Sequence, residues 1–403
     1  MEKHQWLVVR RLCVWSMKKE AELESALSRN RRWVVNNQIK NIILRYPNKE
    51  IPMATLQKKF KSLDLQGKAR NWLSKYPSCF EIHGDRCRLT KRLTSLVAEE
   101  HSLLEAQQPF LARRLAKLLM LTLRKRLTLL KINEFKRAFG LPDDYLITIV
   151  PRYPDLFRIV DHTGRRSSLA VELLRWDPHL AVSALQSAAP PRFSCCLPSS
   201  WVKSWERFRE FDQVPYFSPY SDPRGLVEGS REMEKRNVGL VHELLSLTLW
   251  KRFSIVKLGH FRREFLLPDR LNVLLLRHPG IFYVSNKYRI YTVLLREAYA
   301  GSRLVDKDPL VVVKDKFGEL MQEGLHEYNQ RRRLLNVEKR RNKGLPLVSV
   351  DGETKGRRRR SHQVSDDDDD DDDGDGAGRK VGGLFDPEER KRFYKVLFDD
   401  DAS

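Results

Sequence analysis

Apolar residues recur at helical spacing over residues 115–126 and again over 241–252, the pattern of helices that bury one face. Each stretch runs into a short β-prone step, Leu127-Thr128-Leu129 or Phe253-Ser254-Ile255. A second helix then sets Phe135 and Phe139, or Phe261 and Phe265, four apart on one face. Leu-Pro-Asp makes a turn with proline near a helix start, and a third helix stops at Tyr153-Pro154 or His278-Pro279, since the residue before proline is driven out of the α region. A hairpin closes each stretch, with arms at 156–160 and 168–171 in one and at 281–284 and 289–293 in the other. The two stretches are copies: residues 115–143 match 241–269 at a constant offset of 126, with 14 identities in 29 positions. A fainter copy, Lys75-Tyr76-Pro77 with Phe80, follows Leu56 and Phe60, and its hairpin has arms at 80–82 and 88–90 across Gly84-Asp85. Helix, strand, helix, helix, hairpin is the order of a winged helix. The pattern therefore predicts a mainly α chain with short β-hairpins (α+β), built as three tandem winged-helix-like units.

The units fall at residues 30–100, 110–190 and 236–300. A Trp/Tyr/Pro-rich connector, 191–235, joins the last two, and in it Trp201, Trp205 and Phe208 share one helical face, the signature of packing onto a neighbouring unit. A basic helical extension over 301–345 ends in Arg331-Arg332-Arg333 and Lys339-Arg340-Arg341. Residues 346–403 read as a disordered tail, with arginines at 357–360 and eight aspartates from Asp366 to Asp373. That acidic run either solvates the chain or competes with a polyanion for basic surface.

Charge sharpens the picture. The 403 residues carry 75 Lys+Arg against 53 Asp+Glu, a formal net charge of +22, and because 351–403 hold 11 basic and 17 acidic residues, residues 1–350 are at +28. A field of that sign favours nucleic acid or anionic lipid. No run reaches the ~18 apolar residues a membrane-spanning helix needs, and no long amphipathic basic helix offers itself to a membrane surface. Five cysteines without regular spacing make no disulfide framework. Cys79, Cys87 and His83 lack the paired spacing and fourth ligand of a zinc site, and no cysteine has a local partner for nucleophilic catalysis, so neither metal, cofactor, small-molecule substrate nor enzyme activity is expected.

The expected ligand-binding residues are basic. With the phenylalanines turned inward, the second helices leave Lys131, Lys136 and Arg137 exposed in the second unit, and Lys257, Arg262 and Arg263 in the third; Lys125, Arg126, Lys251 and Arg252 precede them. The first unit offers Lys58, Lys59 and Lys61, and the hairpins add Arg86, Arg88, Arg165, Arg166, Lys287 and Arg289. Together these would track phosphates with steep salt dependence and little base discrimination. Tyr153, Tyr216, Tyr220, Tyr283 and Tyr288 are candidates for stacking on unpaired bases, each with a core role as the competing reading.

The stretch 234–248, with His260-Phe261-Arg262-Arg263-Glu264-Phe265, Arg277-His278-Pro279, Phe282-Tyr283-Val284-Ser285, Leu294-Leu295-Arg296-Glu297-Ala298-Tyr299 and Pro215-Tyr216-Phe217-Ser218-Pro219-Tyr220, resembles the plant organelle RNA recognition domain family. The resemblance runs from about Arg31 to Leu335. It implies a plant protein of mitochondria or chloroplasts that binds group II intron RNA and promotes its splicing, alone or with other splicing factors, and it supplies no set of contact residues. It also implies a presequence, for which residues 1–29 are the candidate; scarcity of serine over residues 1–19 points to the mitochondrion, with the chloroplast as the alternative. The competing function is a nuclear winged-helix-like DNA-binding regulator, suggested by the fold and by the basic clusters at 339–341 and 357–360.

Overall fold

The structure, a computed structural model, describes residues 17–27, 31–59, 61–63, 65, 67–161, 169–187, 198–210, 217–287 and 291–342. Arg165, Arg166, Arg289, Tyr216, Tyr288, Cys13, Cys195, Cys196 and the tail lie outside the described residues, as does the side chain of Phe208.

A short helix, α1 (Ala21–Ala26), precedes the first repeat: α2 (Arg31–Arg45), β1 (Glu50–Pro52), α3 (Met53–Lys58), α4 (Ala69–Ser74), β2 (Phe80–His83) and β3 (Arg86–Leu89). Helix α5 (Lys91–Ala106) leads to the second repeat: α6 (Gln108–Met120), β4 (Arg126–Thr128), α7 (Leu129–Phe139), α8 (Tyr145–Thr148), β5 (Phe157–Val160) and β6 (Ala170–Leu173). Helices α9 (Ala184–Ser187) and α10 (Ser199–Glu210) connect it to the third: α11 (Arg231–Leu247), β7 (Arg252–Ser254), α12 (Ile255–Gly259), α13 (Arg262–Phe265), α14 (Leu271–Arg277), β8 (Phe282–Ser285) and β9 (Thr292–Leu295). A two-residue pair, β10 (Tyr299–Ala300) and β11 (Arg303–Leu304), precedes the long helix α15 (Pro309–Asn342). Each repeat has one three-stranded antiparallel sheet whose last strand lies between the other two, β1-β3-β2, β4-β6-β5 and β7-β9-β8. The mainly α fold with short hairpins and three winged-helix-like units is therefore present, its strands displaced by up to three residues from the expected positions.

The chain divides into two compact units, Asn30–Ser95 with Phe317–Ser403, and Met1–Arg29 with Leu96–Lys316. In the smaller, Val35, Ile39 and Ile43 of α2 are buried with Leu56, Trp72, Leu73, Cys79, Phe80 and Cys87. Trp72 donates its indole N–H to the Asn36 Oδ1 at 2.8 Å, which satisfies both of those buried atoms. Part of α15 completes this core. Phe317 meets Trp33 edge-on at 5.8 Å, the Ser78 hydroxyl donates to the Leu320 carbonyl at 2.5 Å, and Gly324 lies so close to Ser78 that a Cβ there would meet its Oγ at 2.3 Å.

In the larger unit the second and third repeats share one hydrophobic core. Their contacts are reciprocal under the offset of 126: the Leu123 N–H donates to the Glu264 carbonyl at 3.0 Å, and its mate, the Leu249 N–H, donates to the Ala138 carbonyl, the mate of Glu264, at 2.7 Å. Equivalent residues also meet each other. Phe135 and Phe261 have ring centroids 4.3 Å apart, Lys117 bonds Glu243 at 3.0 Å, and Glu134 bonds His260 at 3.0 Å. Reciprocal and self-mated contacts are the mark of a two-fold relation, here between two halves of one chain. In a true homodimer Lys117 would face itself; duplication within one chain lets that position carry opposite charges.

The expected second helix of the third unit is broken into α12 and α13. Gly259, a weak helix former, stands where the second repeat has Asn133, and the next turn tightens, with the His260 N–H donating to the Lys257 carbonyl and the Phe261 N–H to that of Leu258. In both repeats this second helical stretch then ends in the left-handed conformation, at Gly140 (φ 74°) and its mate Leu266 (φ 52°). The connector helix α10 packs as its apolar stripe foretold: Trp205 is buried and stacks on His242 with centroids 6.0 Å apart.

Candidate nucleic-acid interface

Many of the repeated basic residues are committed within the protein. Lys136 is only 14% exposed and bonds Asp143 at 2.7 Å, and its mate Arg262 pairs with Asp269, the mate of Asp143. Lys131 donates to the Glu264 carboxylate and, at 3.2 Å, to the His260 carbonyl. Lys131, Lys136 and Lys257 are half-buried rather than exposed, because the second helices of these repeats carry partners from their own turns and from the facing repeat as well as the phenylalanines. Lys125 and Lys251, mates again, both adopt positive φ, 53° and 47°. The Lys125 ammonium lies 4.6 Å over Trp176, whereas that of Lys251 donates to the Ser246 carbonyl at 2.5 Å, and burial holds it below the usual lysine range. Arg252 donates to the Ala26 carbonyl at 2.5 Å, and Lys287, its ammonium also depressed by burial, to that of Glu24 at 2.5 Å. Arg126 is half-buried; Arg137 and Arg263 are exposed.

Preservation of charge at Lys136 and Arg262 thus has a structural cause: the same intra-repeat bridge, Lys136–Asp143 and Arg262–Asp269, was copied with the core. The tyrosines follow suit. Tyr283 is buried and donates to Glu24 at 2.7 Å, Tyr220 donates to Glu243 at 2.6 Å, and Tyr153 packs against the shared core.

The first repeat differs. Residues 30–95 hold 15 Lys+Arg against 4 Asp+Glu, whereas 96–316, more than three times as long, hold 36 against 24. Lys58 and Lys59 at the end of α3, Lys61 just beyond, and Lys68 and Arg70 at the start of α4 are exposed. The turn between β2 and β3 is the two residues Gly84-Asp85, with Gly84 at φ 58°, a conformation glycine adopts without steric cost. Arg70 donates to the Gly84 carbonyl at 2.5 Å and the Asp85 carbonyl accepts the Met53 N–H at 2.8 Å, so α3, α4 and the hairpin tip meet. Arg86 and Arg88 project from β3; Glu50 lies 3.7 Å from Arg86 and Glu81 accepts from Arg88 at 2.9 Å, and that bond draws the Glu81 carboxyl below its usual range. Lys68 and Arg70 were missed by a reading centred on Phe60; the local charge count over 30–95 was the signal that reveals them.

Cys79 and Cys87 are buried free thiols, each pushed up to about 12 by burial. Among the described residues no cluster of three or more His, Cys, Asp or Glu could hold a metal ion.

Fold and charge together define a tandem winged-helix-like protein with one strongly basic repeat. The chain belongs to the plant organelle RNA recognition domain family, whose domain matches residues 18–326. It is 36% identical over 332 residues to Protein WHAT'S THIS FACTOR 1 homolog, chloroplastic, of Arabidopsis thaliana and to its namesake of Oryza sativa subsp. japonica, covering 75% of this chain and 62% and 65% of theirs. It is 33% identical over 306 residues to Protein WHAT'S THIS FACTOR 9, mitochondrial, of Arabidopsis thaliana, covering 70% of this chain and 78% of that one. The chain thus spans under two thirds of the length of the two chloroplastic relatives. No solved structure matches it significantly.

Proposed function

We propose that the protein binds RNA in a plant organelle and promotes the splicing of group II introns, acting as a binding protein without a catalytic centre of its own. The observation that carries this reading is the family match over residues 18–326, which spans all three repeats and the basic first repeat among them. A group II intron performs its own transesterifications once folded. The protein's part is to neutralise phosphates and hold intron segments in the active arrangement, and it shifts that equilibrium only by binding the splicing-competent fold more tightly than misfolded ones. Relatives named chloroplastic and mitochondrial support an organellar location; the scarcity of serine in the first 19 residues favours the mitochondrion, with the chloroplast as the alternative. Other splicing factors are expected partners on the same RNA.

Crosslinking and immunoprecipitation of the tagged protein from purified mitochondria and chloroplasts, with sequencing of the bound RNA, tests this. Enrichment of a few introns in one organelle is the expected result. Signal confined to nuclear DNA would overturn it in favour of the winged-helix-like regulator.

A further inference from the structure

We propose that the first repeat is the phosphate-binding module of the protein, and that the pseudo-symmetric pair of second and third repeats is chiefly a scaffold. The inference rests on the RNA-binding reading above and narrows it to a site. A phosphate backbone is held by cations that keep donors free and have few carboxylates beside them. In the larger unit many cations fail that condition: Lys117, Lys131, Lys136 and Arg262 have carboxylate partners, and Lys251, Arg252 and Lys287 donate to backbone carbonyls, while Arg137 and Arg263 are exposed on a unit richer in acids. In the first repeat Lys58, Lys59 and Lys68 are exposed at the end of α3 and the start of α4, which meet the hairpin tip through the bonds of Arg70 to Gly84 and of Met53 to Asp85. Its excess of basic over acidic residues, 15 against 4, is carried in 66 residues. The ligand class is a nucleic-acid backbone read by charge and shape, with little base discrimination.

The test is binding of a fluorescent group II intron fragment by three full-length proteins of known fold by circular dichroism: the unaltered chain, Lys58→Glu/Lys59→Glu/Lys68→Glu, and the charge-matched control Arg124→Glu/Arg263→Glu/Arg270→Glu. The first variant is expected to lose more than about tenfold in affinity and to flatten the salt slope by roughly 0.7 for each phosphate contact removed; the control is expected to lose under about threefold. Equal losses, or a larger loss in the control, would overturn the site while leaving RNA binding in place. Failure of the unaltered chain to bind would overturn both. Should the Glu variant unfold, Lys58→Gln/Lys59→Gln/Lys68→Gln carries the same comparison.

A second inference has its own observation. We infer that any leader removed on import is cut before Glu20, so that residues 20–27 stay on the mature protein rather than leaving with a leader that ends at residue 29. The segment is built into the third repeat. The Met17 N–H donates to the Val284 carbonyl at 3.2 Å, Glu20 takes two bonds of 2.8 Å from the guanidinium of the fully buried Arg296, and Glu24 accepts from Tyr283 at 2.7 Å and Ser285 at 2.5 Å. Leu23 and Leu27 are buried in a cluster with Tyr283, Leu294, Tyr299 and Leu304. Loss of Glu20 would strand the Arg296 charge without its carboxylate. Mass spectrometry of the N-terminal peptide of protein purified from the organelle is expected to show a start at or before Glu20, an uncut chain included. A mature start beyond Glu20 would overturn the inference.

Discussion

Phe135 is fully buried and touches Phe139 of its own helix and three rings of the third repeat, Phe253 at 4.7 Å, Phe261 at 4.3 Å and Phe265 at 6.4 Å between centroids. Phe135→Ala therefore opens a cavity at the junction of two repeats and should cost about 3–5 kcal/mol in urea unfolding; a loss under about 1 kcal/mol would show that the rings do not share a core. Cys79 and Cys87, buried and with thiols raised to about 12, should resist alkylation at pH 8 in the native protein and react fully in denaturant. Prompt native labelling would contradict their place in the first repeat's core. At this scale the sequence was legible where the cause is local. The spacing of Phe135 and Phe139 marked a buried face, but nothing near Lys131 announced that its partner would be Glu264, because that partner is brought up by the facing repeat.

The hydrophobic period revealed α6, α7 and α11 best, since periodicity over many residues averages out local exceptions. The strands are three or four residues long in each repeat, too short for alternation to fix a register, and their positions moved accordingly. The pairing of the second and third repeats was hidden for a different reason: a repeat offset of 126 fits separate beads as well as a fused pair. Its trace was the opposite charge at the equivalent positions Lys117 and Glu243, which a self-facing position can exploit. The start of α15 offers a test of its cap. Asp308 accepts the Leu310 N–H at 2.9 Å and the Arg114 guanidinium at 2.5 Å. Burial pushes its carboxyl up, yet the bonds from Arg114 and Leu310 outweigh burial and hold it below the usual aspartate range. A carboxyl depressed by folding stabilises the protein fully above its unfolded pKa, about 4, and that contribution fades as the pH falls through the folded value. Asp308→Asn keeps a capping side chain but loses the charge, so its thermal stability should lie below that of the unaltered chain at pH 7, with the gap narrowing below about pH 4. A gap independent of pH would contradict the ion pair's role.

Across the whole molecule, charge is distributed unevenly, and that unevenness separates two kinds of basic residue. Those of residues 96–316 are largely offset by acids within the same unit, 36 against 24, and several serve the junction between repeats. In residues 30–95 acids are few, and although Arg86, Arg88 and Arg92 have carboxylate partners, Lys58, Lys59 and Lys68 are exposed at the end of α3 and the start of α4. Composition alone disclosed the total, but only the structure shows which cations are already occupied. Polyanion binding by such a molecule must be strongly salt-dependent, and the family to which the chain belongs directs the expectation to RNA. The most direct test is a titration of the full chain with an intron RNA fragment from 50 to 200 mM salt, with duplex DNA of equal length as competitor. The expected result is a linear fall of log affinity with log salt, a slope of several times about −0.7, and retention of RNA against equimolar duplex. A salt-independent affinity, or displacement of the RNA by duplex DNA, would contradict it.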